Sequence, residues 1–134
     1  MKVKKIDHIS IAVRDLDKAQ EAYENILGLE LDSTYVFDKE KIKVARYRIG
    51  DIWLELMEPT ETGDVSKFLD RKGEGIMVIS YEVPNVEQAI AELKSKGYKL
   101  IDDKPRFLWD SRYAFINHPK ELCGVLTEVW DYGR

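Results

Sequence analysis

Two segments of the chain share the same alternation of side chains. Residues 8–13 read His-Ile-Ser-Ile-Ala-Val, and residues 78–83 read Val-Ile-Ser-Tyr-Glu-Val. Large apolar residues recur at every second position, which is typical of a β-strand whose two faces meet different surroundings. At an offset of 70 residues (78 minus 8), Ser10 also meets Ser80 and Val13 meets Val83. The pattern predicts an internal repeat, and each copy of it begins with a strand.

A capped helix is predicted after each of these strands. Asp15 and Asn85 stand where N-cap residues belong, and Gly28 and Gly97 stand where helices end. Gln88, three residues after Asn85, occupies the capping-box position. The apolar residues expected to face the core are Leu16, Ala19, Tyr23 and Ile26 in the first helix, and Val86, Ala89, Ile90 and Leu93 in the second.

Three further strand-like segments follow each predicted helix. They cover about residues 29–37, 42–49 and 51–58 in the first half, and about 98–102, 112–117 and 123–131 in the second. The fold class is therefore expected to be α+β, with two tandem βαβββ modules in one domain of 134 residues. We expect module 1 at about 1–62, a helical connector at about 63–73 and module 2 at about 74–134.

Two carboxylates lie in the middle of the closing strands. Glu55 stands between Leu54 and Leu56, and Glu128 stands at the matching position of the second copy, at an offset of 73 (128 minus 55). A buried carboxylate is costly unless it is paired, hydrogen-bonded or bound to a metal. The repeat therefore directs attention to four positions, which are His8, Glu55, Val78 and Glu128.

The order of several motifs resembles the vicinal oxygen chelate (glyoxalase/bleomycin resistance/dioxygenase) superfamily. They are Asp7-His-Ile-Ser-Ile-Ala-Val, Glu55-Leu-Met-Glu-Pro, Gly73-Glu-Gly-Ile, and His118-Pro-Lys ahead of Gly124-Val-Leu-Thr-Glu. The chain is most similar to the methylmalonyl-CoA epimerase-like branch. This resemblance implies a cup-shaped mixed β-sheet with helices on its outer face, and a homodimer. It also implies a divalent metal at the positions of His8, Glu55, Val78 and Glu128.

Two residues depart from the pattern of this family. Val78 replaces the expected second histidine and cannot bind a metal, so the implied ligand set shrinks to His8, Glu55 and Glu128. Such a trio suits a hard or borderline ion such as Co²⁺, Mn²⁺, Mg²⁺, Zn²⁺ or Ni²⁺, in an incomplete site. Lys43 stands near the place of a catalytic carboxylate, and is read either as its replacement or as a solvated charge.

Other residues are candidates for contact with a small-molecule substrate. Arg112 can bind a carboxylate through two hydrogen bonds or be a surface arginine. His118 can meet a ligand phosphate or carboxylate or be a turn histidine. Lys120 is interpreted in the same way, with a phosphate of coenzyme A as a further partner. The apolar candidates are Trp53, Met57 and Trp130, which alternation places on the same strand faces as the carboxylates. The two tryptophans can equally fill the core.

The resemblance leaves three functions open. The first is a small-molecule isomerase that abstracts a proton alpha to a carbonyl or thioester, with Glu128 as the base, Glu55 as its proton-sharing partner and a degenerate metal site. The second is a metal-free binding protein of the bleomycin-resistance type, favoured by the bulky aromatic segment 107–113. The third is a glyoxalase-type lyase, which normally requires the complete metal site.

Composition constrains the partners and the cellular location of the protein more than its function. The net charge of −4 argues against nucleic acid or an anionic membrane as the main partner, because both are bound through an excess of Lys and Arg. No apolar run approaches the roughly 20 residues of a membrane span. The single cysteine, Cys123, excludes an internal disulfide and a cysteine-rich zinc site. These features predict a cytoplasmic protein.

Overall fold

The chain divides into two units in the computed structural model, which describes residues 1–117 and 119–133. We call His8–Met77 the first unit, and Met1–Asp7 with Val78–Arg134 the second unit. Strand β1, Lys5–Ala12, begins in the second unit and continues into the first. The first residues of the chain therefore belong with the second repeat, where Lys4 N donates a hydrogen bond to Glu82 O at 2.8 Å.

The first unit contains the first copy of the repeat. After β1 its elements are α1 (Leu16–Leu27), β2 (Leu31–Phe37), β3 (Ile42–Ile49), β4 (Ile52–Pro59) and α2 (Asp64–Lys72). The strand order is β2-β3-β4-β1. Strand β1 runs parallel to β4, whereas β3 is antiparallel to both β2 and β4.

The second unit repeats this arrangement. Its elements are β5 (Gly75–Glu82, shared with the first unit), α3 (Val86–Ser95), β6 (Arg106–Leu108), β7 (Ser111–Phe115) and β8 (Leu126–Asp131). The strand order is β5-β8-β7-β6, with β5 parallel to β8 and the other pairs antiparallel. The two tandem βαβββ modules and the α+β fold class are thus confirmed.

Both helices begin at their predicted caps. The Asp15 side chain accepts a hydrogen bond from Lys18 N at 3.1 Å, and Asn85 accepts one from Gln88 N at 3.0 Å. Gly28 follows α1 in the left-handed region at φ 67°, which a glycine adopts without steric cost. Local capping chemistry therefore fixes where both helices start and where α1 stops.

The core of each unit lies between the helix of the module and its sheet. In the first unit it contains Val13, Leu16, Ala45, Tyr47 and Leu56. In the second it contains Val83, Val86, Ala89, Ile90, Ala114, Ile116 and Val129. The prediction for Ile26 is wrong, because this side chain is 79% exposed at the last turn of α1. The apolar stripe faces the core only as far as Tyr23, which packs against the first core.

The predicted strand at 98–102 is also wrong. The short strand at this place in the repeat is β6, Arg106–Leu108. Ile101 N and Asp102 N each donate one hydrogen bond to the backbone of the second unit, but the Asp102 carboxylate then accepts a bond from Phe115 N at 2.9 Å. Asp side chains that bond to the backbone in this way compete with a regular strand ladder.

Strand β8 begins later than predicted, at Leu126 and not at residue 123. Cys123 and Gly124 have φ values of 59° and 87°, which are incompatible with an extended strand. Across the described residues, no helix combines the length and apolar character required to cross a membrane.

Candidate functional site

Glu55 is the centre of a polar cluster in the first unit. Alternation along β4 places Trp53, Glu55 and Met57 on one face. Glu55 is buried, and its Oε2 lies 3.0 Å from Nε of Arg46, the residue opposite it on β3. A buried carboxylate needs such a partner, because its desolvation is otherwise uncompensated.

Arg46 is fixed by a second contact, with an aromatic ring. Its guanidinium carbon lies 3.9 Å from the centre of the Trp53 ring, within the range of a cation–π interaction. Trp53 therefore supports a cation as well as lining an apolar face. Sequence reasoning missed Arg46, although a signal was present: the two-residue turn Gly50-Asp51, which joins Ile49 to Ile52, fixes the register that sets Arg46 opposite Glu55.

His8 and Ser10 approach the same carboxylate from β1. The Ser10 hydroxyl donates a hydrogen bond to Glu55 Oε1 at 3.3 Å, and Ser10 is the register partner of Glu55. His8 is buried, and its Nε2 lies 3.8 Å from Glu55 Oε1, too far for a direct hydrogen bond. The first unit therefore brings His8 and Glu55 together, as the repeat suggested, with Arg46 and Ser10 added.

Glu128 occupies the equivalent place in the second unit. It is buried on β8, with Ser80 of β5 as its register partner on one side and Phe115 of β7 on the other. Ser80 matches Ser10, but Phe115 stands where the first repeat has Arg46. The two carboxylates therefore share their strand positions, but only Glu55 has an arginine as its register partner.

Aromatic side chains line the strands beside Glu128. The Trp130 and Tyr113 rings are stacked, with centroids 5.2 Å apart and planes inclined by 19°, and Phe115 meets Tyr113 edge to face at 6.1 Å. Trp130 remains partly exposed, and in the first unit Met57 is buried. The strands carrying both carboxylates thus also carry large apolar groups.

Arg112 and Lys43 each have a carboxylate partner inside their own unit. Arg112 Nε donates to Asp131 Oδ1 at 3.1 Å, and Lys43 Nζ lies 3.2 Å from Glu58 Oε2. These carboxylates also cap the two helices, as Asp131 accepts from Val86 N at 2.7 Å and Glu58 accepts from Leu16 N at 2.8 Å. The arrangement gives both cations a structural role in the repeat.

The remaining candidates lie in the loops of the second unit. His118 and the side chain of Lys120 lie outside the described residues. Within the aromatic segment 107–113, Phe107 is exposed and Trp109 is 71% exposed. These rings therefore face solvent, where a ligand can reach them.

The predicted metal ligands are divided between the two units, with His8 and Glu55 in the first and Glu128 in the second. Within either unit, no three His, Cys, Asp or Glu side chains among residues 1–117 and 119–133 lie close enough together to hold an ion. The Arg46 guanidinium already binds Glu55, and a metal would have to compete with this charge. Val78 is buried and contributes an apolar surface at the position of the missing ligand.

Comparison with known proteins places this geometry in a family. Residues 7–115 match the model of the glyoxalase/bleomycin resistance protein/dioxygenase superfamily. The chain is 33% identical over 126 residues to the uncharacterized protein YqjC of Bacillus subtilis, with 93% of this chain and 90% of that protein covered. It is 29% identical over 127 residues to the mitochondrial methylmalonyl-CoA epimerase of Homo sapiens, with 93% and 72% covered.

Solved structures give the same result. A methylmalonyl-CoA epimerase in complex with methylmalonyl-CoA and NH₄⁺ superimposes with a TM-score of 0.89 at 35% identity, covering 96% of this chain and 94% of that one. A Streptomyces coelicolor methylmalonyl-CoA epimerase variant in complex with 2-nitronate-propionyl-CoA gives the same TM-score, identity and coverage. The chain therefore belongs to the glyoxalase/bleomycin resistance protein/dioxygenase superfamily.

Proposed function

We propose that the protein is an epimerase-like isomerase that acts on an acyl-CoA thioester with an acidic proton at the alpha carbon. The observation that carries the proposal is the similarity to methylmalonyl-CoA epimerases, which extends over more than nine-tenths of this chain in sequence and in structure. One of those structures contains methylmalonyl-CoA, so methylmalonyl-CoA is the first substrate to test.

The proposed reaction is a reversible proton transfer. A base removes the proton from the alpha carbon, and the electron pair of the broken C–H bond moves into the thioester to form an enolate. The enolate is planar, so water that donates a proton to its opposite face inverts the centre. The hydroxide that is left takes the proton held by the base, which restores both the base and the water. A carboxylate that is shielded from water is a suitable base for this step.

We assign the base to Glu128. It is buried on β8, and its register partner on β7 is the apolar Phe115. Glu55 is the second carboxylate considered for proton transfer, but its Oε2 is held by Arg46 at 3.0 Å. Proton transfer through this oxygen would require the ion pair with Arg46 to open. We therefore assign Glu55 to the positioning of Arg46.

Deuterium exchange at the alpha carbon tests this function. Purified protein is incubated with methylmalonyl-CoA in D₂O, and label incorporation is followed by mass spectrometry against a sample without protein. We expect exchange above the spontaneous rate. Glu128→Gln is expected to lower the rate by roughly 100-fold or more, the range for loss of a positioned acid or base.

Glu87→Gln provides a matched control. It is the same substitution in the same unit, but Glu87 is exposed on α3 and should leave the rate unchanged. Melting temperatures of both variants separate loss of the base from loss of the fold. Absence of exchange in the unmodified protein would refute the isomerase, whereas exchange that survives Glu128→Gln would remove Glu128 from the reaction.

A metal-free binding protein is the second candidate function. It is favoured by the exposed Phe107 and Trp109, which offer an apolar surface to a small molecule, and by Val78 at the place of a ligand. This function predicts quenching of tryptophan fluorescence by an apolar ligand, together with no alpha-proton exchange.

A further inference from the structure

Arg46 is a cation held in place from two sides. Its Nε lies 3.0 Å from Glu55 Oε2, and its guanidinium carbon lies 3.9 Å from the Trp53 ring centre. The neighbouring Arg48 lies over the same ring at 4.7 Å, but it is exposed, and its Nε bonds to the backbone of Gly50. One arginine is thus fixed inside the cluster, and the other lies at its surface.

The fixed guanidinium retains hydrogen-bond donors. An arginine has five N–H donors in a planar fork, and the Nε end of Arg46 lies beside Glu55 as an ion pair without hydrogen-bond geometry. In the part of the chain that the structure describes, the two Nη groups make no hydrogen bond to another residue. The side chain keeps 20% of its surface exposed, so a ligand can reach it.

We propose that Arg46 binds the free carboxylate of a 2-carboxyacyl-CoA substrate and does so without a divalent metal. This inference rests on the proposed function and names the residue that recognises the carboxylate of its substrate. A planar fork of donors matches the two oxygens of a carboxylate, and stacking on a ring limits the freedom lost on binding. The donors around Glu55 do not suit a metal, so Arg46 supplies the cationic charge of this cluster.

Glu55 sets the strength of this interaction. Its negative charge fixes Arg46 but also opposes a second carboxylate beside the same guanidinium. Glu55→Gln keeps the shape of the side chain and removes this opposing charge. We therefore expect Glu55→Gln to bind the carboxylated substrate several-fold more tightly, whereas a metal ligand changed in this way would lower affinity.

Calorimetric titration of two thioesters tests the inference. Methylmalonyl-CoA carries the carboxylate and propionyl-CoA lacks it, and both are titrated with and without EDTA. We expect the unmodified protein to prefer methylmalonyl-CoA at least tenfold. Arg46→Met should bring this preference close to one. Arg48→Met, the matched control on the same tryptophan ring, should leave it unchanged.

The outcomes separate this inference from the proposed function. Equal affinity for the two thioesters with active proton exchange would overturn the role of Arg46 and leave the isomerase standing. A preference for methylmalonyl-CoA that depends on Arg46, without proton exchange, would support the role of Arg46 and refute the isomerase. A preference abolished by EDTA would assign carboxylate binding to a metal, and failure to bind either thioester would overturn both statements.

Discussion

Replacement of Asp131 by alanine should destabilise the protein far more than the same change at Glu58, its counterpart in the first repeat. The Asp131 side chain is only 3% exposed and binds three groups: Val86 N at 2.7 Å, Gly133 N at 2.8 Å and Arg112 Nε at 3.1 Å. Alanine leaves two backbone donors and a partly buried guanidinium without this acceptor.

The magnitude follows from these contacts. Hydrogen bonds to a charged group contribute about 1.5–3 kcal/mol each, and loss of one partner of a buried ion pair costs about 3–5 kcal/mol. The contacts share one carboxylate and do not add, so we expect Asp131→Ala to lower the free energy of unfolding by about 3–5 kcal/mol. For a chain of 134 residues this corresponds to a fall in Tm of roughly 10–20 °C.

Glu58 makes the equivalent contacts at a more exposed position. Its side chain is 21% exposed, it accepts one backbone hydrogen bond from Leu16 N at 2.8 Å, and its cation is the half-exposed Lys43. Loss of a cap costs about 1 kcal/mol and an exposed ion pair contributes at most about 1 kcal/mol. We therefore expect Glu58→Ala to cost about 1–2 kcal/mol.

Urea denaturation of both variants, followed by circular dichroism, measures the difference directly. A double-mutant cycle with Arg112→Met isolates the ion pair of Asp131, and Asp131→Asn tests how much of the loss is due to charge. Equal losses for Asp131→Ala and Glu58→Ala would refute the reasoning, because burial would then not decide the strength of the cap. A loss below about 1.5 kcal/mol at Asp131 would refute the magnitude.

Two further predictions concern a phenol and the asymmetry between the repeats. Burial of Tyr47, reinforced by its 2.8 Å hydrogen bond to Glu24, raises the pKa of the phenol. The unfolded chain then loses this proton at a lower pH than the folded protein, so the free energy of unfolding should fall as the pH rises above about 10. Urea titrations at about pH 9–11 should show a smaller fall for Tyr47→Phe than for the unmodified protein. Parallel curves for the two proteins would contradict this. Phe115→Arg should place a cation opposite Glu128 and lower the rate of alpha-proton exchange at least tenfold. Phe115→Leu is the matched control. An unchanged exchange rate in Phe115→Arg would argue against Glu128 as the base.

The sequence predicts best those elements that are determined by interactions between residues close together along the chain. The helix caps at Asp15 and Asn85 are correct because a cap bonds to an amide three residues away. The alternation that identified Glu55 and Glu128 is likewise local, and both carboxylates are buried in strands. Local patterns therefore recover the repeat and its central carboxylates.

The errors arise where distant residues compete for the backbone. Residues 98–102 look like a strand, but the Asp102 carboxylate bonds to Phe115 N and to Arg106, with Nη2 donating at 2.9 Å. Ile26 continues the apolar stripe of α1, but no pattern within the helix shows that its last turn extends past the core. Such outcomes depend on partners far along the chain, which periodicity does not identify.

The two repeats differ where chemistry is proposed and agree where the fold is held together. Ser10 and Ser80 occupy the same register, and each repeat caps its helix with a carboxylate that also binds a cation. Opposite the central glutamate, however, the first repeat has Arg46 and the second has Phe115. A buried carboxylate can be stabilised by a cation, by hydrogen bonds or by a metal, so the two repeats need not stabilise their glutamates in the same way. An arginine opposite one carboxylate and an aromatic ring opposite the other is the difference on which the proposed roles of Glu55 as anchor and Glu128 as base rest.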